Sequence, residues 1–269
     1  LLSEINPTAT MKHILMAAIA LLSAFVTAQA GDTIRYDNPR LEVYPLAGPQ
    51  ASHRAVLLCP GGGYGRVVES HEGSDWVNFY HNLGFSVAVL DYDLPRGNAR
   101  IPIDDVENAM ILLKKEAPKY GWNPDSIGVM GFSAGGHLAA MAATTRRPEA
   151  RPAFQVLFYP VITMDPSFTN IITHNNLLGK KGVTPEQEAE YSCEKRVEAT
   201  TPQAFITFCY DDDIVPVTNG TAYFNALYAA KVPAVLHVYK RGGHGWGYKP
   251  GWPFRTQMLA DLTAWLRSL

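Results

Sequence analysis

In this 269-residue chain, the pentapeptide Gly131-Phe132-Ser133-Ala134-Gly135 points most directly to covalent chemistry. It follows a short apolar run, Ile127–Met130, and opens a small-residue stretch, Ala134–Ala143, so Ser133 stands on a tight strand-to-helix turn. The crowded backbone of such a turn requires residues without bulky Cβ substituents on either side, which the flanking glycines supply. The turn lifts the hydroxyl clear of the strand end, where it can act as a nucleophile. Near neutral pH a serine is a poor nucleophile, so the chain needs a base and a third group to orient that base.

Eight histidines are available. His13 lies in an N-terminal apolar leader, and His53, His71 and His81 precede the serine in early loops or helices. His137, four residues after Ser133 on the helix that follows, is read as a packing or hydrogen-bonding residue, and His237 falls inside a strand. His244 differs, because Gly242-Gly243-His244-Gly245 gives it a flexible loop after the last strand. The acids to match it cluster in Tyr210-Asp211-Asp212-Asp213-Ile214-Val215-Pro216, directly after another strand. Open α/β sheets place ligands and reacting groups at the carboxyl ends of strands, and the chain order serine, acid, histidine is that of an α/β-hydrolase. A fourth element, Cys59-Pro60-Gly61-Gly62-Gly63-Tyr64-Gly65, follows the strand ending at Cys59. Its consecutive glycines expose backbone N–H groups that can hold the oxyanion of a tetrahedral intermediate. No Gly-Lys-Ser/Thr follows, which argues against a phosphate-binding loop.

These loops need strands beneath them, and the sequence supplies a series. Ala55–Cys59, Phe85–Leu90, Ser126–Gly131, Ala153–Phe158, Ala204–Tyr210 and Ala234–Tyr239 are continuous apolar runs, the pattern of parallel strands buried on both faces. Arg40–Leu46 reads as an added edge strand. Between them Ile103, Val106, Met110 and Leu113 recur with helical period, as do Met258, Leu262, Trp265, Leu266 and Leu269. The fold class is therefore α/β: a mostly parallel central sheet flanked by helices. Residues 161–202 are too many for an ordinary connection and read as a small insertion. Thr184-Pro185-Glu186-Gln187 marks a capped helix within it. Its His174, Asn175 and Asn176, with Tyr64 of the glycine loop, are the candidate contacts to substrate hydroxyls.

Composition limits the alternatives. With 23 Lys+Arg against 25 Asp+Glu the formal charge is -2, and no run of five basic residues occurs, so the chain has no field to hold a nucleic acid. Cys59, Cys193 and Cys209 form no CxxC motif; one disulfide with one thiol left over is conceivable from their number, but a Cys-ligated metal site is not. Neither a metal nor an organic cofactor is expected. Met11-Lys12-His13, the uncharged run Ile14–Val26 and Ala28-Gln29-Ala30 have the form of a signal peptide over residues 11–30. Thirteen residues at 1.5 Å each reach only about 20 Å, short of a roughly 30 Å bilayer core. The expectation is export to periplasm or medium with no membrane span after cleavage, and one catalytic domain over residues 31–269.

The segments CPGGGY, GFSAGGHLAA, DDDIVP and RGGHGW resemble those of secreted bacterial carbohydrate esterases of the α/β-hydrolase superfamily, close to acetyl xylan esterases, over roughly residues 40–269. The resemblance implies Ser133 as nucleophile and His244 as base. The family's D-x-x-V-P pattern selects Asp212 from the three acids, and the oxyanion donors would be the amides of Ala134, Gly62 and Gly63. One departure is the opening Cys59-Pro60-Gly61, where many lipase-like relatives have His-Gly-Gly-Gly. The implied activity is hydrolysis of acetyl esters on plant polysaccharide fragments, with acetylated xylan first and feruloyl or other carboxylic esters second. A peptidase of the prolyl-oligopeptidase type could use the same triad, but its propeller domain has no room in the 239 residues after a leader. A non-catalytic binder on this fold would have lost a triad residue or the glycines, all of which are present.

Overall fold

The computed structural model describes residues 29–49 and 51–269; the leader read over residues 11–30 lies outside them except for Gln29–Ala30, which pair antiparallel with Leu46–Ala47. Eight strands form the central sheet: β1 (Ile34–Asp37), β2 (Arg40–Tyr44), β3 (Arg54–Cys59), β4 (Phe85–Leu90), β5 (Ile127–Phe132), β6 (Gln155–Phe158), β7 (Ala204–Cys209) and β8 (Ala234–Tyr239). Their order across the sheet is β8-β7-β6-β5-β3-β4-β2-β1. From β8 to β4 every pairing is parallel, and β2 and β1 add on antiparallel.

Helices cover the sheet: α1 (Val77–Asn82), α2 (Arg100–Glu116), α3 (Ser133–Ala143), α6 (Thr218–Ala229) and α7 (Arg255–Arg267). Two more, α4 (Ile171–Leu178) and α5 (Pro185–Glu190), lie in the 161–202 insertion. On α2 the periodic residues Ile103, Val106, Met110 and Leu113 are all buried, and each contributes about 1.5–3 kcal/mol by leaving water. Met258, Leu262 and Leu266 do the same on α7, while Trp265 and Leu269 are only partly covered. The capping box at α5 forms as read: Gln187 N–H donates to Thr184 Oγ1, and Thr184 N–H donates to Gln187 Oε1.

Two expectations need correction, and one open possibility is closed. The strand β1, whose alternating half-exposed pattern lacks the apolar run of the inner strands, pairs outside β2, so Arg40–Tyr44 is not the edge strand expected. Strand β8 is not buried on both faces; it is the sheet's outer strand, and five of its six residues keep partial or full exposure. Finally, all three cysteines are free and buried, so none of them pairs. Burial in apolar surroundings pushes the Cys59 and Cys193 thiols far above their ordinary range and that of Cys209 up to about 12.

Register decides what meets at the carboxyl edge. Cys59 is level with Gly131, which sets the glycine loop beside the turn that carries Ser133. Phe132 is level with Phe158, and Cys209 with Tyr239, so Tyr159, the acidic loop and the His244 loop all leave the sheet at that same edge.

Candidate active site

Ser133 has φ of 53°, a left-handed conformation that costs a non-glycine residue about 1–2 kcal/mol. The surrounding backbone imposes it. A Cβ on Gly135 would strike the carbonyl oxygens of Cys59 and Pro60, and one on Gly131 would strike the carbonyl of Gly135. The glycine requirement read from the sequence thus has a steric cause: the helix start, the preceding strand and the neighbouring loop are in direct backbone contact.

Ser133 Oγ lies 2.8 Å from His244 Nε2, and His244 Nδ1 lies 2.8 Å from Asp212 Oδ2. An ionised carboxylate only accepts, so Nδ1 carries the proton and Nε2 is left to accept from the serine hydroxyl. The Asp212 side chain is fully buried, and its other oxygen accepts the N–H groups of Ile214 (3.0 Å) and Val215 (2.9 Å). These three bonds fix the carboxylate on a loop. Asp213 is exposed. Asp211, also exposed, has a task of its own, accepting from Gly243 N–H at 2.9 Å and Gly242 N–H at 3.1 Å. Those bonds hold its carboxyl below the usual carboxylate range and tie the His244 loop to the acidic loop.

In the glycine loop, Gly61 N–H donates to Glu72 Oε2 at 3.0 Å, while the N–H groups of Gly62 and Gly63 have no acceptor among the described residues. Ala134 is in the first turn of α3, whose leading N–H groups lack intrahelical acceptors. Glu72 is buried, and its other oxygen accepts from Tyr159 OH at 2.7 Å. Tyr159 OH in turn accepts from Gly247 N–H at 2.9 Å, and its ring centroid is 4.6 Å from that of His244. Burial, with the Glu72 charge beside it, pushes the Tyr159 hydroxyl well above its ordinary pKa. One carboxylate therefore links the glycine loop to the histidine loop. No local pattern singles out Glu72, because its partner Tyr159 is 87 residues away.

A cleft of about 420 Å³ opens over Ser133 and His244, with Gly62, Gly63, Ile172 and Ile214 among its lining. Three of the candidate substrate contacts, Tyr64, His174 and Asn175, are not in that lining. Tyr64 is buried, and its hydroxyl donates to His137 Nδ1 at 2.9 Å, while His137 Nε2–H donates to the Tyr191 carbonyl at 2.8 Å. His137 is thus held in the interior, where burial lowers its pKa to about 4. His174 is buried on α4 between Glu188 (3.0 Å) and Asn175 (3.1 Å), so it is not free to meet a sugar, and half-buried Asn175 has its Oδ1 on the His174 ring. The sequence shows a polar stretch there, where the chain builds a helix whose His174 is bonded to Glu188 of α5. The same helix presents Ile172 and Thr173 to the cleft instead.

Three asparagines pin the insertion to the site. Asn176 Nδ2 donates to Gly63 O at 2.8 Å, and Asn170 Nδ2 donates to Ile214 O at 2.9 Å. Buried Asn219 accepts from Ile162 N–H (3.0 Å) and Thr163 N–H (3.3 Å) while donating to Phe168 O and Pro216 O. Among the described residues no cluster of three His, Cys, Asp or Glu could ligate a metal, and no helix is long and apolar enough to cross a membrane.

The strand order and the placement of Ser133, Asp212 and His244 at the carboxyl edge define an α/β-hydrolase. Residues 41–227 match the BD-FAE family model, and the chain belongs to that family. It is 35% identical over 267 residues to an acetylxylan esterase of Xylanibacter ruminicola, covering 96% of this chain and 55% of that protein. Endo-1,4-beta-xylanase B of Butyrivibrio fibrisolvens is 33% identical over 222 residues, covering 77% of this chain and 34% of that protein. The chain therefore spans about half or less of the length of these two relatives. Among solved structures, the acetyl ester-xyloside bifunctional hydrolase from Caldicellulosiruptor lactoaceticus matches with a TM-score of 0.81 at 28% identity, covering 90% of this chain and 98% of that one.

Proposed function

We propose that the protein is a serine esterase that hydrolyses short-chain acyl esters, chiefly acetyl, on plant polysaccharide fragments, with acetylated xylan as the substrate class. The observation that carries this reading is the hydrogen-bonded series Ser133, His244, Asp212, with both links at 2.8 Å, facing a cleft beside a glycine loop. His244 Nε2 takes the hydroxyl proton as Ser133 Oγ attacks the ester carbonyl, and Asp212 orients the imidazole and stabilises its charged form. The amides of Gly62, Gly63 and Ala134 receive the oxyanion. His244 then protonates the departing sugar alkoxide, and water, activated by the same imidazole, releases the acid and restores Ser133.

The acetyl-xylan assignment draws support from the relatives named above and from the insertion, whose two short helices are too little to build a large apolar lid. A second reading, feruloyl esterase, is favoured by the exposed Ile172 and Ile214 on the cleft wall, which suit a flat aromatic acyl group. The expected site of action, periplasm or medium, rests on the leader read from the sequence. The test is a p-nitrophenyl ester series from acetate to octanoate, alongside methyl ferulate and acetate release from acetylated xylo-oligosaccharides. Each buried CH₂ adds about 0.8 kcal/mol where a pocket accepts it, so a lipase-like site would favour long chains. The expected result is a maximum at acetate with release from the sugars; a maximum at octanoate with no release overturns the assignment.

A further inference from the structure

Two cations line the same cleft as Ser133 and His244, and the structure leaves both without a carboxylate partner. Arg66 follows the glycine loop; its backbone packs so closely on Gly62 that a Cβ there would strike the Arg66 carbonyl. Lys249 follows the His244 loop, and its Nζ donates to Gly245 O at 2.7 Å, which holds the ammonium one residue from the base. Both side chains are exposed, and neither makes an ion pair among the described residues, whereas Arg40, Arg100, Arg147 and Arg196 are each held by acids. The acid among the cleft-lining residues is Glu72, which is buried with both oxygens occupied by Gly61 N–H and Tyr159 OH. Every exposed charge on the cleft wall is therefore positive, and the two cations belong to the two loops that bracket the reacting centre.

Resting on the esterase reading of this cleft, we propose that Arg66 and Lys249 form a subsite for a carboxylate carried by the glycan next to the scissile ester. The preferred substrates are then acylated oligosaccharides that bear a uronic acid. A neutral acetylated sugar gains nothing from uncompensated cations. A carboxylate gains a planar two-pronged partner in the guanidinium and a point charge in the ammonium. Because both groups are exposed, each contact is modest and screened by salt.

The experiment compares kcat/KM for an acetylated xylo-oligosaccharide carrying one glucuronic acid with that for its neutral counterpart, in the wild type and in Arg66→Gln, Lys249→Gln and the double variant. The expected charged-to-neutral ratio is about threefold to tenfold in the wild type, collapsing toward one in the double variant. In the wild type alone, the ratio should also shrink in 0.5 M sodium chloride, a measurement independent of how the variants fold. A wild-type ratio of one or below, or a ratio untouched by both salt and the double substitution, overturns the subsite. p-Nitrophenyl hemisuccinate, whose carboxylate sits on the acyl side, is the control: equal enhancement there would place the anion on the wrong side of the ester and overturn it as well. If the wild type cleaves neither p-nitrophenyl acetate nor the neutral oligosaccharide, the esterase reading itself fails and takes the subsite with it. Good turnover of neutral substrates with no charge preference removes the subsite alone.

Discussion

The nucleophile and its base are held by different physics. Ser133 sits where strand β5, helix α3 and the glycine loop touch backbone to backbone, and steric exclusion fixes its left-handed conformation. His244 sits on an open loop whose glycines at 243 and 245 have no atom within 4 Å of where a Cβ would be. Its position comes from polar ties, through Asp212, Asp211, Lys249 and the Tyr159–Gly247 bond. Around Ser133 the glycines at 131 and 135 admit no added atom, while beside His244 the glycines at 243 and 245 have open space, and what the histidine cannot lose is its hydrogen-bond partners.

The largest expected effect is on chemistry at the junction. Ser133→Ala and His244→Ala should each lower kcat for p-nitrophenyl acetate by on the order of 10⁴-fold or more without unfolding the protein, and the double variant should be little worse than either. A double variant far below both singles would show that the two do not act as a unit. Next come the acids: Asp212→Asn should lower kcat by about 10⁴-fold through loss of imidazole orientation. Asp211→Ala, which frees the N–H groups of Gly242 and Gly243, should cost about tenfold, and Asp213→Asn should be close to silent. Severe damage from Asp213→Asn would mean that the acid has been misassigned.

The contrast itself is tested by a pair of glycine substitutions. Gly135→Val should destabilise the fold by on the order of 4 kcal/mol or more, because backbone carbonyls stand where the side chain must go. Gly243→Ala, strained only by its φ of 61°, should cost about 1–2 kcal/mol. Equal losses in a urea titration would erase the distinction between the two sides. Glu72→Ala removes the carboxylate that ties the glycine loop, through Tyr159, to the histidine loop, so kcat should fall roughly 10–100-fold with less change in KM. A change confined to KM would argue that Glu72 only shapes the cleft.

The last expected effect is confined to acid pH and to stability. His137 is neutral in the fold with a pKa near 4, against 6.5 when unfolded. Between those values the unfolded chain takes up a proton that the fold refuses, so stability is full above pH 6.5 and is lost as pH falls toward 4. The loss amounts to about 3 kcal/mol. Urea midpoints at pH 7 and pH 4.5 should therefore draw closer together in His137→Gln; an unchanged gap would place the acid sensitivity elsewhere.

The close-packed side is also the one the sequence reveals best. Gly131, Ser133 and Gly135 are local, and steric necessity writes itself into adjacent positions. The inner strands announce themselves as apolar runs because both faces are covered, whereas β1, with its half-exposed alternation, does not. Ser133, Asp212 and His244 could be placed because each ends or follows a strand in a recognisable order, although choosing Asp212 over its neighbours took the resemblance of the Val-Pro pattern. The polar ties escaped notice because they join distant segments: Glu72 to Tyr159, Asp211 to Gly243, Tyr64 to His137. Tyr64 and His174 read as surface contacts for the same reason, since nothing local says that a tyrosine or a histidine will be satisfied in the interior.

The asparagine pins have a consequence for anyone who would alter this protein's selectivity. Asn170 caps the helix α4 by accepting from Thr173 N–H and, with its amide, holds the Ile214 carbonyl two residues from Asp212. Asn176 holds Gly63 in the same manner. The insertion that decorates the cleft is thus part of the frame that aims the reacting groups, and it is not an exchangeable module. Grafting a relative's insertion onto this chain should transfer new walls together with a misaligned triad unless the residues equivalent to 170, 176 and 219 travel with it. Selectivity here should change more readily by a single replacement on the outer face of α4, at the exposed Ile172, than by swapping the segment whole.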